Sequence, residues 1–402
     1  MKRFRRIATR YDTFDQTYLT AIHQALIYDS LVYCFKILES VIMKIAIITM
    51  HAARNYGAVL QTFALQEYCN KQGLSVEIVN YKRYNQTNIG YLFSINKKFQ
   101  DSNLKKILFF IKTIIPKIKT TKLFSSFLKR RLNITKHEIL VNSKLNLIPQ
   151  AEVYCVGSDQ VWNPCANNGL DKMYFFDGVK GKKISYASSI GVQEVNDDTK
   201  NLYKKYLSSF DSVSVREQTS IAILNDCGIK ANCVLDPTLL LDIDEWKSFC
   251  KNEQIKSEPY LLLYYFGNAT NIMDTASEIA KDKKLKIKRI SVGFERYMND
   301  EDVERFISPE RFVALFLYSS YVITNSFHGT VFSINFRKEF LTWPVTENNA
   351  RFTNVLALFN LENRNLRTVK NYDNEIDYDS VFKILEQERH YSKNYLNNAI
   401  GI

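Results

Sequence analysis

The residues best suited to chemistry stand in short polar turns, each directly after an apolar run. In Thr324-Asn-Ser-Phe-His-Gly-Thr330, the run Tyr321-Val-Ile-Thr324 ends, a turn follows, and Val331, Phe332 and Ile334 continue at helical spacing. His328 thus falls near a predicted helix N-terminus, where backbone N–H groups and the helix dipole favour an anion. An imidazole can deliver a proton near neutral pH, which makes His328 a candidate acid with Ser326, Gly329 and Thr330 as anion-binding neighbours. Its plainer reading is a hydrogen-bonded packing residue.

A second turn, Ser214-Val-Arg-Glu-Gln-Thr-Ser220, holds Arg216, whose planar guanidinium could grip a carboxylate or phosphate with two parallel hydrogen bonds. A salt bridge to Glu217 or another acid is the alternative. In Gly157-Ser-Asp-Gln-Val-Trp-Asn163, Asp159 could serve as a base for a hydroxyl acceptor, with Gln160 and Asn163 as sugar-type partners and Trp162 as a stacking face. Asp and Ser also cap helices for local reasons, so both readings of Asp159 stay open. Asn55-Tyr-Gly-Ala58 can bring backbone close to a ligand but lacks the G-x-G-x-x-G spacing of dinucleotide sites. Asp242-Ile-Asp244 precedes Glu245 and Trp246 at an apparent helix start and reads as a cap. His23, His51, His137 and His390 share no ligand spacing, so no metal site is expected.

These turns need a scaffold that places them together. Lys44-Ile-Ala-Ile-Ile-Thr49 has the uniform apolar character of a buried parallel strand, Val59, Leu60, Phe63, Ala64, Leu65 and Tyr68 fall at helical spacing stopped by Gly73, and Val76-Glu-Ile-Val79 reads as the next strand. That is the βαβ opening of a doubly wound sheet, whose ligands bind at the carboxyl ends of strands. Further strands are predicted at Val153–Val156, Lys183–Ala187, Ser212–Val215 and Cys233–Leu235, then at Tyr260–Tyr265, 287–292 and Tyr321–Thr324. The expected division is an N-terminal Rossmann-like α/β domain over 43–245, a second over 246–345 and a helical tail over 346–402. Met43 directly precedes the first strand, so residues 1–42 read as an upstream extension or a loosely attached helix.

At 402 residues, 46% apolar and 24% charged, the chain has the composition of a two-domain globular protein. Its seven cysteines are scattered and lack a C-x-x-C pair, which suits reduced thiols in the cytoplasm. No span of about 20 residues is free of charge, which argues against a membrane-spanning helix. The net charge of +12 is concentrated between Lys97 and Arg131, opposed there only by Asp101. In that insert, at about 90–135, Leu104, Ile107, Leu108, Ile111, Ile114, Ile115 and Ile118 interleave with lysines, and Pro116 is expected to kink or end the helix. This pattern fits an amphipathic helix drawn to anionic lipid at the inner face of a membrane, or a helix packed on its own domain. Nucleic acid is disfavoured, because no recognised binding module accompanies the charge.

Taken in order, Gly157-Ser-Asp-Gln-Val-Trp-Asn163, Ile184-Ser-Tyr-Ala-Ser-Ser-Ile-Gly191, Val213-Ser-Val-Arg-Glu217, Leu235-Asp-Pro-Thr-Leu-Leu240 and Ser326-Phe-His-Gly-Thr330 resemble the successive motifs of polysaccharide pyruvyl transferases. The resemblance runs from about Met43 to Glu339. It implies a fold similar to the two-domain GT-B glycosyltransferases, with the site in the central cleft. It also implies transfer of pyruvate from phosphoenolpyruvate onto two hydroxyls of a sugar or lipid-linked oligosaccharide. The product would be a cyclic ketal in capsule, exopolysaccharide or cell-wall synthesis, with no cofactor. The family's donor-binding arginine falls on Arg216 and its histidine on His328. Many members carry a second arginine two positions before that histidine, where this chain has Ser326. Two rival readings are a GT-B-type glycosyltransferase using a nucleotide sugar and a non-catalytic membrane-surface component of polysaccharide assembly.

Overall fold

A computed structural model describes residues 42–95, 102–141, 147–255, 258–267, 270–291, 302–344, 350–367 and 374–402. The expected extension over 1–42 lies outside them except for Ile42, as do residues 96–101 of the basic insert.

The first half runs β1 (Lys44–Ile48), α1 (Tyr56–Lys71), β2 (Ser75–Ile78), β3 (Tyr81–Lys82), α2 (Asn88–Phe93), α3 (Asn103–Arg131), β4 (Ile139–Leu140), β5 (Val153–Val156) and β6 (Lys182–Ser185). It continues through α4 (Asp197–Leu207), β7 (Ser214–Val215), α5 (Gln218–Asp226), β8 (Asn232–Cys233) and α6 (Ile243–Phe249). The second half holds β9 (Tyr260–Tyr264), α7 (Thr270–Asp282), β10 (Lys286–Ile290), β11 (Val303–Glu304), α8 (Pro309–Tyr318), β12 (Tyr321–Thr324), α9 (Phe327–Asn335) and β13 (Glu339–Thr342). Two helices close the chain, α10 (Ala350–Leu358) and α11 (Tyr378–Ile400).

The strands form two larger parallel sheets, ordered β2-β1-β5-β6 and β11-β10-β9-β12-β13, and two short parallel pairs, β3-β4 and β7-β8. Ile45, Ala46, Ile47 and Ile48 are all buried because helices cover both faces, which is why β1 is apolar without alternation. In each larger sheet the chain first winds one way and then the other, so a crevice opens between β1 and β5 and another between β9 and β12. Parallel α/β sheets bind ligands at such reversal points. The turns after β1 and β5 carry Asn55 and Asp159, and the turn after β12 carries His328. Two Rossmann-like α/β units therefore present the candidate residues at strand ends, as the sequence leads one to expect.

Two local expectations need correction. Helix α3 does not end at Pro116 but continues through it for 29 residues. Strand β13, which extends the second sheet, was not anticipated, because Glu339-Phe-Leu-Thr342 is short and opens on a charged residue. The C-terminal helix α11 returns to the first sheet, where Ser392 Oγ accepts from Leu235 N, Tyr395 donates to Ser185 O and Tyr68 donates to Asn397 Oδ1. Among the described residues no helix is long and apolar enough to cross a membrane.

Candidate active site

The two halves meet at one carboxylate. Asp236 follows β8 and is almost completely buried. Its Oδ2 lies 2.6 Å from Arg216 Nη1, contributed by the turn after β7, and 3.7 Å from His328 Nε2, contributed by α9 in the second half. Ser158 Oγ donates to the same oxygen at 3.3 Å, while the Thr238 hydroxyl and backbone N–H donate to Oδ1 at 2.7 and 3.0 Å. Burial alone would raise the Asp236 carboxyl, but His328, Arg216 and the Thr238 hydroxyl together hold it well below the usual carboxylate range. Arg216 and His328, 112 positions apart, are thus ordered by one anion.

His328 is fixed from the other side by a glycine. A Cβ on Gly57, in the first turn of α1, would lie 2.0 Å from His328 Nδ1. The backbone of the first half therefore presses directly on the imidazole of the second. Ser326 is the N-cap of α9 and accepts from Gly329 N, and a Cβ on Gly329 would come within 2.5 Å of Thr324 Oγ1. Both residues thus set the angle at which α9 leaves β12. Thr330 is fully buried, with its hydroxyl returned to Ser326 O, so its expected contact with a donor is replaced by a packing role.

Beside this centre lies a cavity of about 110 Å³ lined by Arg216, Glu217, Asp236, Phe327, Arg351 and Asn354, among others; His328 is not among its lining residues. The Arg216 guanidinium sits 4.3 Å from the Phe327 ring centroid and that of Arg351 6.0 Å from it. Nε and Nη2 of Arg216 and Nε of Arg351 are buried without a hydrogen-bond partner among the described residues. Burial first, and then the nearby Arg216 charge, lowers the Arg351 guanidinium from its ordinary value. Two cations with unspent donors around one ring make a place that an anion would stabilise. Arg351 carried no signal in the sequence, because it opens a helix far from any strand end.

The plainer reading of Arg216, a salt bridge to Glu217 or another acid, is met by Asp236 at 2.6 Å and not by Glu217. Glu217 Oε1 accepts from Ser189 Oγ and Gly191 N, its Oε2 has no hydrogen-bond partner among the described residues, and burial raises its carboxyl above the usual range.

The turn after β5 divides its residues differently from the expectation. Asp159 has φ 71, its Oδ1 accepts from Gln160 N at 2.9 Å, and the same oxygen is 4.0 Å from Arg216 Nη2. The Gln160 amide lies 2.6 Å from Asn163 Nδ2 and 2.8 Å from Arg351 Nη1, and its oxygen faces the guanidinium. Trp162 is 0% exposed, stacks on Phe175 at 5.5 Å and donates to Tyr174 O. It belongs to the core and offers no face to a sugar. Asn163 is also buried and caps its own turn by accepting from Cys165 N and Ala166 N, which corrects its assignment to the acceptor. Asn55 caps α1, is exposed, and lines a separate groove. Asp242 forms a capping box with Glu245 at the start of α6, as its spacing suggested.

Several solved structures are similar in shape. A UDP-N-acetylglucosamine 2-epimerase from Rickettsia bellii aligns with TM-score 0.41 at 10% identity, covering 89% of this chain and 98% of its own. The UDP-GlcNAc 2-epimerase from Neisseria meningitidis bound to UDP-GlcNAc gives 0.42 at 12% identity, with 89% and 94% covered. The spinosyn forosaminyltransferase SpnP gives 0.39 at 9%, with 90% and 95% covered. No curated protein sequence matches the chain. A family model described as polysaccharide pyruvyl transferase matches residues 55–342, a span that runs from the cap of α1 to the end of β13 and includes Asp159, Arg216, Asp236 and His328. By that match, the chain belongs to the polysaccharide pyruvyl transferase family.

Proposed function

We propose that the protein transfers pyruvate from phosphoenolpyruvate onto two hydroxyls of a sugar, forming a cyclic ketal and releasing phosphate. The observation that carries this reading is the meeting of Arg216 and His328 on a single Asp236 oxygen. The donor is an enol ether with two anionic groups, so its activation needs an acid near the methylene carbon and cations near the carboxylate and phosphate. His328 protonates the methylene, which becomes the methyl of the product and leaves an oxocarbenium-like C2. One sugar hydroxyl adds to C2 and gives up its proton; the second then displaces phosphate at the same carbon and closes the ring. Arg216 and Arg351 hold the donor's anionic groups, Asp236 orients the imidazolium and balances its charge, and Asp159 accepts a hydroxyl proton. Gln160 contacts the acceptor at this centre, and Asn55 contacts a more distant unit of it in the separate groove. We read the reaction as cytoplasmic, with a lipid-linked oligosaccharide at the inner membrane face as acceptor, a reading supported by the free cysteines among the described residues.

Phosphate release from phosphoenolpyruvate, measured with and without lipid-linked sugars, tests the proposal. Acceptor-dependent release is expected, and His328→Ala should lower turnover by about 10² or more. Retention of turnover within about threefold would remove the acid role. Phosphoenolpyruvate at a hundred times its Kd should add about 2.7 kcal/mol of stability. If a UDP or GDP sugar stabilises the protein and phosphoenolpyruvate does not, glycosyl transfer replaces this reading.

A further inference from the structure

Helix α3 is turned inside out relative to an ordinary surface helix. Leu104, Leu108, Ile111, Ile115 and Ile118 recur at alternating steps of four and three, so they share one face. That face is open to solvent, with Leu104 66% exposed and Ile111 and Ile115 each 63%. Thr113 and Lys117, on the opposite side, are 1% and 4% exposed. The Lys117 ammonium is turned inward to donate to the carbonyls of Leu92 and Ser94 at the end of α2, where a cation suits the helix terminus. Exposed Ile89 and Phe93 on α2 add to the apolar surface. A contiguous exposed patch of this kind on a folded chain marks an interaction site.

Charge identifies the occupant. Residues 103–131 hold nine Lys or Arg and no Asp or Glu. Lys105, Lys112 and Lys119, seven residues apart, run beside the apolar stripe and are exposed. An isoleucine face bordered by a row of lysines matches a bilayer that offers hydrocarbon under a layer of anionic headgroups. We infer that the outer face of α3 docks the protein on an anionic phospholipid bilayer. The helix lies in the interface and does not cross it. Its C-terminal half borders a groove of about 150 Å³, lined by Tyr56, Tyr91, Leu123, Phe124 and Phe306 and reaching Asn55. Docking through the N-terminal half sets that groove, and Gly57 against His328 beyond it, beside the membrane.

Flotation of the full chain with vesicles tests the inference and does not depend on which donor the site takes. The protein is expected to float with vesicles containing phosphatidylglycerol and to stay behind with phosphatidylcholine alone. Binding should weaken in 0.5 M salt, where screening shortens the reach of charge. Ile111→Glu with Ile115→Glu should reduce the bound fraction at least about tenfold. Lys105→Gln, Lys112→Gln and Lys119→Gln should each reduce it about fivefold. All five positions are exposed, so circular dichroism and the melting temperature should be unchanged. Flotation that ignores either set of substitutions overturns the inference. So does the absence of flotation together with a concentration-dependent dimer abolished by Ile111→Glu, which would assign the face to a second copy of the chain.

Discussion

Asp236 touches no reacting atom in the proposed mechanism, yet more of the site depends on it than on any residue that does. It neutralises a buried guanidinium and faces the imidazole, so its loss strands the Arg216 charge out of water. Removing one partner of a buried ion pair costs about 3–5 kcal/mol, and Asp236→Asn is expected to lose that much stability at pH 7 in urea unfolding. The pH dependence follows from its lowered carboxyl. A folded-state value below the unfolded one of about 3.9 gives stability that is complete above that pH and lost as pH falls further. The gap between the parent protein and Asp236→Asn should therefore be constant from pH 8 to about 5 and shrink below about 4. A gap that already shrinks between pH 8 and 5 would mean that this carboxylate does not govern it. Gly57 offers a second residue-scale test. Alanine is ordinarily the better helix former by about 1 kcal/mol, but here its Cβ would drive into His328 Nδ1. Gly57→Ala should lower turnover at least about tenfold, by displacing the imidazole, while α1 remains helical by circular dichroism. The sequence exposed Arg216 and His328 because each directly follows an apolar run. It assigned no role to Asp236, which stands only within the motif Leu235-Asp-Pro-Thr-Leu-Leu240, or to Arg351. It also misplaced Trp162, because a turn's composition does not say which of its side chains point inward.

At the scale of elements, legibility followed burial. Strands β1, β5, β9 and β12 are covered on both faces, so their sequences are continuous apolar runs that cannot be mistaken. Strands β3, β4 and β11 are two residues long and rely on neighbours for their pairing, which leaves little pattern to read. Helix α3 shows the limit of a local rule. Proline in a helix interior removes one hydrogen bond and crowds the preceding turn, at about 3 kcal/mol, yet the 29-residue helix runs through Pro116. Packing of Phe124 and Phe127 in the core and the inward anchor of Lys117 offset that cost. Pro116→Ala should then raise stability by about 1–3 kcal/mol in thermal or urea unfolding. Unchanged or lower stability would show that the ring's contact in the groove beside Asn55 outweighs the restored helix geometry.

Over the whole molecule, each larger sheet keeps a buried cluster of its own, around Ile48 and Trp162 in the first half and around Leu263 and Ile323 in the second, but both also contribute to a shared one. One cluster of buried side chains includes Ile47 of β1, Leu60 of α1, Trp246 of α6, Leu262 of β9, Phe332 of α9 and Leu396 of α11. Helix α11 ties these layers by hydrogen bonds as well as by packing. Arg389 is buried, with Nε donating to Leu239 O at 2.7 Å and Nη2 to Asn335 Oδ1 at 3.1 Å. Leu239 lies just past Asp236, and Asn335 ends the helix that begins beside His328, so Arg389 braces both supports of the candidate site. A core shared in this way should melt as one unit, and calorimetry is expected to show a single transition whose calorimetric and van't Hoff enthalpies agree. Arg389→Ala leaves a buried carbonyl and a buried amide oxygen without donors, at about 1–3 kcal/mol each. It should lower the melting temperature while keeping one transition. Because both supports move together, phosphoenolpyruvate affinity should fall in the same variant although position 389 touches no ligand. Two resolved transitions in the parent protein would mean that the sheets fold independently, and Asp236 alone would then join the halves of the site.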